Sequence, residues 1–135
     1  MANHRLLEDI PDGLPFAEAD PLLLEQALVN ILDNAVKYSP QGSQIALKAR
    51  VVNDRIAITI EDEGPGVPIS ELPHIFDKFY RVRKADRKVA GTGLGLSVAR
   101  GFVESFGGTL SAANRDETGA IFSLTVPLRK MQDAS

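Results

Sequence analysis

The chain has 135 residues, a formal net charge of −3 and no cysteine. That length makes one domain with a core of ordinary size, and the lack of thiols excludes disulfides, thiolate metal sites and cysteine nucleophiles. The mild acidity excludes wholesale nucleic-acid binding, no apolar run approaches a membrane span, and no signal peptide is visible at Met1-Ala2-Asn3-His4-Arg5.

In chain order, residues 1–12 carry little pattern and read as a remnant or linker before a domain at 13–129, with 130–135 as a tail. Leu14-Pro15-Phe16-Ala17 reads as a short edge strand, since proline is tolerated there. Asp20 and Pro21 suit the N-cap and first position of a helix running to Tyr38, and Ser39-Pro40-Gln41-Gly42 ends it. Leu24, Leu28, Ile31, Leu32, Ala35 and Val36 give it an apolar face. Gln26, Asn30, Asp33, Asn34 and Lys37 recur at spacings of three and four and share another side. A solvated face explains the polarity. It does not explain two asparagines, which suit a helix interior less well than Glu, Lys or Gln. Amides one turn apart with a lysine beyond them also suit a metal–phosphate group, and the helix alone leaves both readings open.

Residues 44–52 and 55–61 alternate and form an antiparallel hairpin around Asn53-Asp54. Gly64-Pro65-Gly66-Val67-Pro68 breaks regular structure, and Ser70 caps a short helix to about Phe76. Residues 80–93 read as a long loop. The segment 78–88 carries six cations (Lys78, Arg81, Arg83, Lys84, Arg87, Lys88) against Asp86, leaving the remainder at −8. A local basic segment on an acidic domain points to a bound polyanion such as a nucleotide. A second helix spans 94–106 and stops at Gly107-Gly108. Residues 109–113 and 120–126 form a second hairpin. The fold class is an α/β two-layer sandwich: a mixed, largely antiparallel sheet with helices on one face and a long lid.

Three further stretches carry chemistry. Asp62-Glu63-Gly64-Pro65-Gly66 follows a buried-looking strand; its glycines let backbone approach a flat ligand, and its aspartate can accept from an exocyclic amine. A plain Asp-Gly turn is the alternative. Gly91-Thr92-Gly93-Leu94-Gly95-Leu96 opens the second helix and offers free N–H groups to phosphate. It follows a basic loop and not a strand, so a dinucleotide-binding reading fails, and no lysine stands where a Walker motif needs one. Ile75-Phe76-Asp77-Lys78-Phe79-Tyr80-Arg81 places aromatics that anchor the loop beside basic groups.

In this order, Asn30-Ile31-Leu32-Asp33-Asn34-Ala35-Val36-Lys37-Tyr38, then Asp62 to Gly66, Ile75 to Arg81 and Gly91 to Leu96, the motifs resemble the N, G1, F and G2 boxes of the catalytic ATP-binding domain of sensor histidine kinases. The resemblance covers residues 14–128. It implies the Bergerat fold and binding of ATP with Mg²⁺. It implies that Asn30 and Asn34 meet the metal–triphosphate group, that Lys37 and Arg81 face phosphates, and that Tyr38, Val67 and Phe79 line the nucleotide. Asp62 would bind the adenine amine, with Gly64 and Gly66 shaping the pocket. Gly91, Thr92, Gly93, Leu94, Gly95 and Leu96 would contact phosphate through backbone, and Thr125 would touch adenine through water. Asp77-Lys78-Phe79, Gly107-Gly108-Thr109, Asn114-Arg115, Gly119-Ala120 and Phe122 are most similar to potassium-responsive KdpD-type kinases.

The family carries its phosphoaccepting histidine on a separate dimerisation domain. His4 and His74 lack the sequence surroundings of that acceptor and read as surface histidines. The resemblance therefore implies the catalytic part of a longer, membrane-bound sensor kinase, cytoplasmic and monomeric in isolation, with the histidine-bearing domain and a response regulator as partners. Two rivals remain: a Bergerat-fold ATPase of the chaperone or repair class, and a nucleotide sensor without turnover. The ATPases carry a base-forming glutamate four residues before the metal asparagine. Here that position is Asn30, an amide that cannot take a proton.

Overall fold

The structure is a computed structural model that describes residues 4–15, 17–77, 95–115 and 118–128, without the Tyr38 side chain. Five strands form one sheet in the order β1-β2-β3-β5-β4, with β1 Arg5–Asp9, β2 Gln44–Val52, β3 Arg55–Glu61, β4 Thr109–Asn114 and β5 Ala120–Pro127. β1 runs parallel to β2 and every other pair is antiparallel. Helices α1 (Pro21–Tyr38) and α2 (Gly95–Ser105) pack against each other and onto one face. The α/β two-layer sandwich is the expected one.

Register explains the layering. One face stacks Leu47, Ile60, Phe122 and Ala112 in one row, and Ala49, Ile58, Leu124 and Leu110 in the next. α1 covers this face with the buried Ala27, Ile31 and Ala35, and α2 adds the buried Ala99 and Val103. The other face carries Lys48, Thr59, Ser123 and Ser111 in one row, small and polar as an uncovered antiparallel face requires. Asp20 caps α1 by accepting from the N–H groups of Leu22 and Leu23 at 2.9 and 3.2 Å. The Ser39 N–H closes its far end on the Ala35 carbonyl at 3.1 Å.

Three expectations change. Residues 5–9, expected within a remnant or linker, are strand β1 of the sheet, paired with β2 from Arg5↔Gln44 to Asp9↔Lys48. All five are exposed, so no alternation marks them. Leu14 and Pro15 make no strand among the described residues, and Ala17 forms one isolated bridge to Leu128. The short helix expected from Ser70 is only a 3₁₀ turn, Leu72–His74. The His74 and Asp77 N–H groups bond three residues back, to the Glu71 and His74 carbonyls, both at 2.9 Å, so the turn stays 3₁₀.

Candidate functional site

The site begins where β3 ends. The Asp62 N–H donates to the Ala120 carbonyl at 3.0 Å, so the β3–β5 ladder runs one step past Glu61. Alternation then points Asp62 with Ile58 and Ile60 toward the helix-covered face. Asp62 is 5% exposed and is the one buried charged residue among those described. Its Oδ1 accepts from the N–H groups of Gly64 at 2.9 Å and Ala120 at 3.1 Å. Among the described residues nothing donates to Oδ2. Burial pushes this carboxyl above its ordinary value, opposed by the two N–H groups and by the charge of Arg115. A desolvated carboxylate with one oxygen fixed and one open is a directional acceptor for a neutral donor such as an exocyclic amine.

The segment after Asp62 is held from both sides. Glu63 Oε1 accepts from the Gln44 N–H at 2.9 Å, tying it to the start of β2. Gly64 is buried and Val67 packs on the core. Across from them, the loop joining β4 to β5 bonds the Asp62–Val67 backbone at several points. The Arg115 guanidinium donates to the Asp62 carbonyl at 2.7 Å, and the Thr118 hydroxyl donates to the Gly64 carbonyl at 2.9 Å. The Asn114 amide accepts from the Val67 N–H and donates to the Val67 carbonyl, both at 2.7 Å. Sequence reasoning quoted Asn114, Arg115, Gly119 and Ala120 without giving them a task. The available signal was strand order: pairing β3 with β5 sets the β4–β5 loop beside the turn after β3.

On α1, the half-buried Asn30 and Asn34 lie one turn apart, flanking the fully buried Ile31. The Asn30 amide donates to the Gly95 carbonyl at the start of α2, at 3.3 Å. That bond leaves its oxygen as the open end. The Asn34 amide has no hydrogen-bond partner among the described residues. Open amide oxygens suit Mg²⁺, which takes hard oxygen ligands and keeps few protein contacts beside substrate phosphates. Lys37 forms an ion pair with Asp33 at 3.5 Å. The Leu96 side chain packs on the core. Ile75 is buried, and Phe76 lies against the core with the Arg100 guanidinium 4.8 Å from its ring centre.

Thr125 does not belong to this site. It pairs with Ala57 and Thr109 on the uncovered face, toward the end of the sheet away from Asp62. Its hydroxyl bonds to Thr109 at 2.7 Å and accepts from Arg55 at 3.4 Å. The β5 residue that reaches Asp62 is Ala120, through its backbone. Phe79, Arg81, Gly91, Thr92, Gly93 and Leu94 lie outside the described residues, as does the Tyr38 side chain.

Residues 19–130 match the family described as histidine kinase-, DNA gyrase B-, and HSP90-like ATPase. The sensor protein KdpD of Escherichia coli is 41% identical over 118 residues, covering 87% of this chain and 13% of that protein. The sensor histidine kinase WalK of Bacillus subtilis is 36% identical over 130 residues, covering 94% of this chain and 21% of that protein. The chain thus spans about a fifth or less of these relatives, and the resemblance to KdpD extends to WalK. The crystal structure of full-length ShkA in complex with AMPPNP superposes with a TM-score of 0.81 at 26% identity, over 95% of this chain and 26% of that one. The chain belongs to the histidine kinase-, DNA gyrase B-, and HSP90-like ATPase family.

Proposed function

We propose that this family member is the ATP-binding catalytic domain of a sensor histidine kinase, which binds Mg-ATP and delivers the γ-phosphoryl to a histidine on a separate dimerisation domain. The observation that carries the reading is Asp62, a buried carboxylate with Oδ1 fixed by two backbone N–H groups and Oδ2 open. An adenine presents an amine to that oxygen, whereas a guanine presents a carbonyl. The chain's place among relatives that are sensor kinases supports the rest.

In this reading Asn34 and Asn30 hold Mg²⁺ through their amide oxygens, and the metal supplies neutralisation of triphosphate charge. Lys37 and Arg81 face phosphates, and the backbone of residues 91–96 contacts them. Phosphoryl transfer of this kind is mostly positioning and charge neutralisation. The acceptor imidazole comes from the dimerisation domain of the same full-length protein, and a response-regulator aspartate receives the group afterwards. Asn30 supports transfer over hydrolysis, because its amide is tied to Gly95 and cannot deprotonate water. We assign the parent protein to the membrane-bound sensor kinases, with this domain on the cytoplasmic side. The 41% identity to one KdpD favours a KdpD-type parent and a potassium or osmotic stimulus.

The test incubates the protein with γ-labelled Mg-ATP and a histidine-bearing helical domain from a sensor kinase. Acid-labile, base-stable phosphate on that domain is the expected result. Rapid release of inorganic phosphate with no transfer to any acceptor assigns the chain to the hydrolysing branch of the family.

A further inference from the structure

The β4–β5 loop is bonded to the turn after β3 more densely than a connection between two strands requires. Its contacts with Asp62–Val67 fall in order along the turn. Arg115 and the Ala120 N–H hold Asp62, Thr118 holds Gly64, and Asn114 holds Val67. Two glycines fit the two segments to each other. Gly119 has φ +104°, and a Cβ there would stand 2.0 Å from the Asp62 carbonyl oxygen. Gly66 has φ +80°, and a Cβ there would stand 2.8 Å from Asn114 Oδ1. Gly119 thus brings backbone against backbone, and Gly66 leaves room for the Asn114 amide.

Asn114 is the informative member. It is an exposed side chain on an edge strand, where many residues would serve solubility equally well. Its amide nevertheless meets both polar groups of Val67, one as donor and one as acceptor, as a paired strand would. Valine thereby has its backbone satisfied outside any ladder, and the turn from Asp62 to Val67 is pinned at its far end. At its near end Arg115 fixes the Asp62 carbonyl, and the same guanidinium lies 3.9 Å from Glu61. The loop thus sets where the Asp62 carboxylate stands and which of its oxygens is open.

We propose that Asn114 at the end of β4, with Arg115 and Thr118 of the following loop, is a positioning residue for base selection: together they hold the Asp62 turn in the geometry that distinguishes an adenine from a guanine nucleotide. This rests on the ATP-binding reading above. None of the three side chains needs to touch the nucleotide. They act through the backbone of residues 62–67, so their loss loosens the direction of Asp62 and leaves phosphate and metal contacts on α1 in place.

The experiment titrates the parent, Asn114→Asp, Asn114→Ala and Thr118→Val with Mg-AMPPNP and Mg-GMPPNP by calorimetry, with thermal unfolding of each protein alongside. Asn114→Asp keeps an acceptor for the Val67 N–H and removes the donor to its carbonyl. Thr118→Val keeps shape and removes the donor to Gly64. The parent should bind AMPPNP at least about tenfold more tightly than GMPPNP. Each variant should lose roughly two- to tenfold in AMPPNP affinity, the scale of one hydrogen bond, with GMPPNP little changed. Their selectivity falls while their unfolding temperatures stay close to the parent's. A selective parent with equally selective, folded variants overturns the proposal. So does a parallel loss of both nucleotides, which is what a purely structural role produces. A parent that binds neither nucleotide refutes the ATP-binding reading itself, and the two failures are distinct. Should Asn114→Ala not fold, Thr118→Val at the loop's solvent-exposed edge decides the matter.

Discussion

Asp62→Asn separates recognition from stability. In the parent, Oδ1 accepts two backbone N–H bonds, from Gly64 and Ala120, and Oδ2 is the open acceptor. An asparagine that keeps both bonds must put its carbonyl oxygen at the Oδ1 position. Its NH₂ then occupies the Oδ2 position and faces the adenine amine, donor against donor. Loss of a hydrogen bond to a charged acceptor costs about 1.5–3 kcal/mol, or roughly a ten- to hundredfold loss of affinity. Stability moves the other way. Burial raises the Asp62 carboxyl from its ordinary 3.8, so folding disfavours the ionised form. A carboxyl whose folded pKa exceeds its unfolded one contributes most below the unfolded value, and that contribution declines as pH rises from 3.8 through the raised folded value. Asparagine carries no such dependence and retains both backbone bonds. The variant should therefore melt at or above the parent's temperature at neutral pH while binding AMPPNP ten- to a hundredfold more weakly. Calorimetry and a thermal melt on the same samples check this. An unchanged AMPPNP affinity, or a melting temperature that falls together with the affinity, refutes the reasoning.

Gly119→Ala should destabilise the fold by about 2–4 kcal/mol in urea unfolding, because the backbone there has φ +104° and a Cβ would collide with the Asp62 carbonyl. Asn34→Ala should remove the Mg²⁺ dependence of nucleotide binding, seen as identical AMPPNP affinity with magnesium or with EDTA. It should leave or slightly raise the melting temperature, since alanine is the better helix former and the amide has no partner among the described residues. Steady-state ATP hydrolysis by the parent should be slow. Asn30→Glu should raise it toward the range of about 10²–10⁴-fold that a general base supplies, read as phosphate release in the absence of any acceptor domain.

What the sequence disclosed follows from how local each feature is. α1 was legible to its last residue, because its cap, its apolar stripe and its two asparagines are set by spacings of three and four. The β2–β3 hairpin was equally legible from alternation about Asn53-Asp54, where Asn53 takes φ +57°. β1 was not. Its residues are exposed on both sides, and its partner lies beyond a helix, so pairing and not pattern makes it a strand. Thr125 was misplaced for a related reason: strand parity assigns it a face only once the β3–β5 register is known. Asp62 stood out as a carboxylate between an apolar strand and a glycine turn, although the turn alone left a plain Asp-Gly reading open and the family resemblance supplied its role. Its supports were missed because Asn114, Arg115 and Thr118 are some fifty residues away and meet it only through strand order.

The two ends of the site are therefore built by different physics, and this has a consequence for how the domain tolerates change. The α1 end of the proposed site rests on one helix, where Asn30 and Asn34 keep their spacing as long as α1 keeps its core contacts through Ile31 and Ala35. Its geometry is local and is stabilised by burial that has nothing to do with ligand. The Asp62 end rests on hydrogen bonds between segments distant in sequence, most of them from the side chains of Asn114, Arg115 and Thr118 to the Asp62–Val67 backbone, with glycines at two points of close approach. If the proposal above holds, a surface change on the β4–β5 loop should alter base preference and leave Mg²⁺ dependence unchanged, and a change at Asn34 should do the reverse, both read by calorimetry with Mg-AMPPNP and Mg-GMPPNP. The Asn30 amide donates to the Gly95 carbonyl at the head of α2. That bond joins α1 to the helix that follows the glycine-rich stretch. A change at Gly95 therefore reaches α1 through this contact, whereas the Asp62 turn is bonded to the segment between β4 and β5.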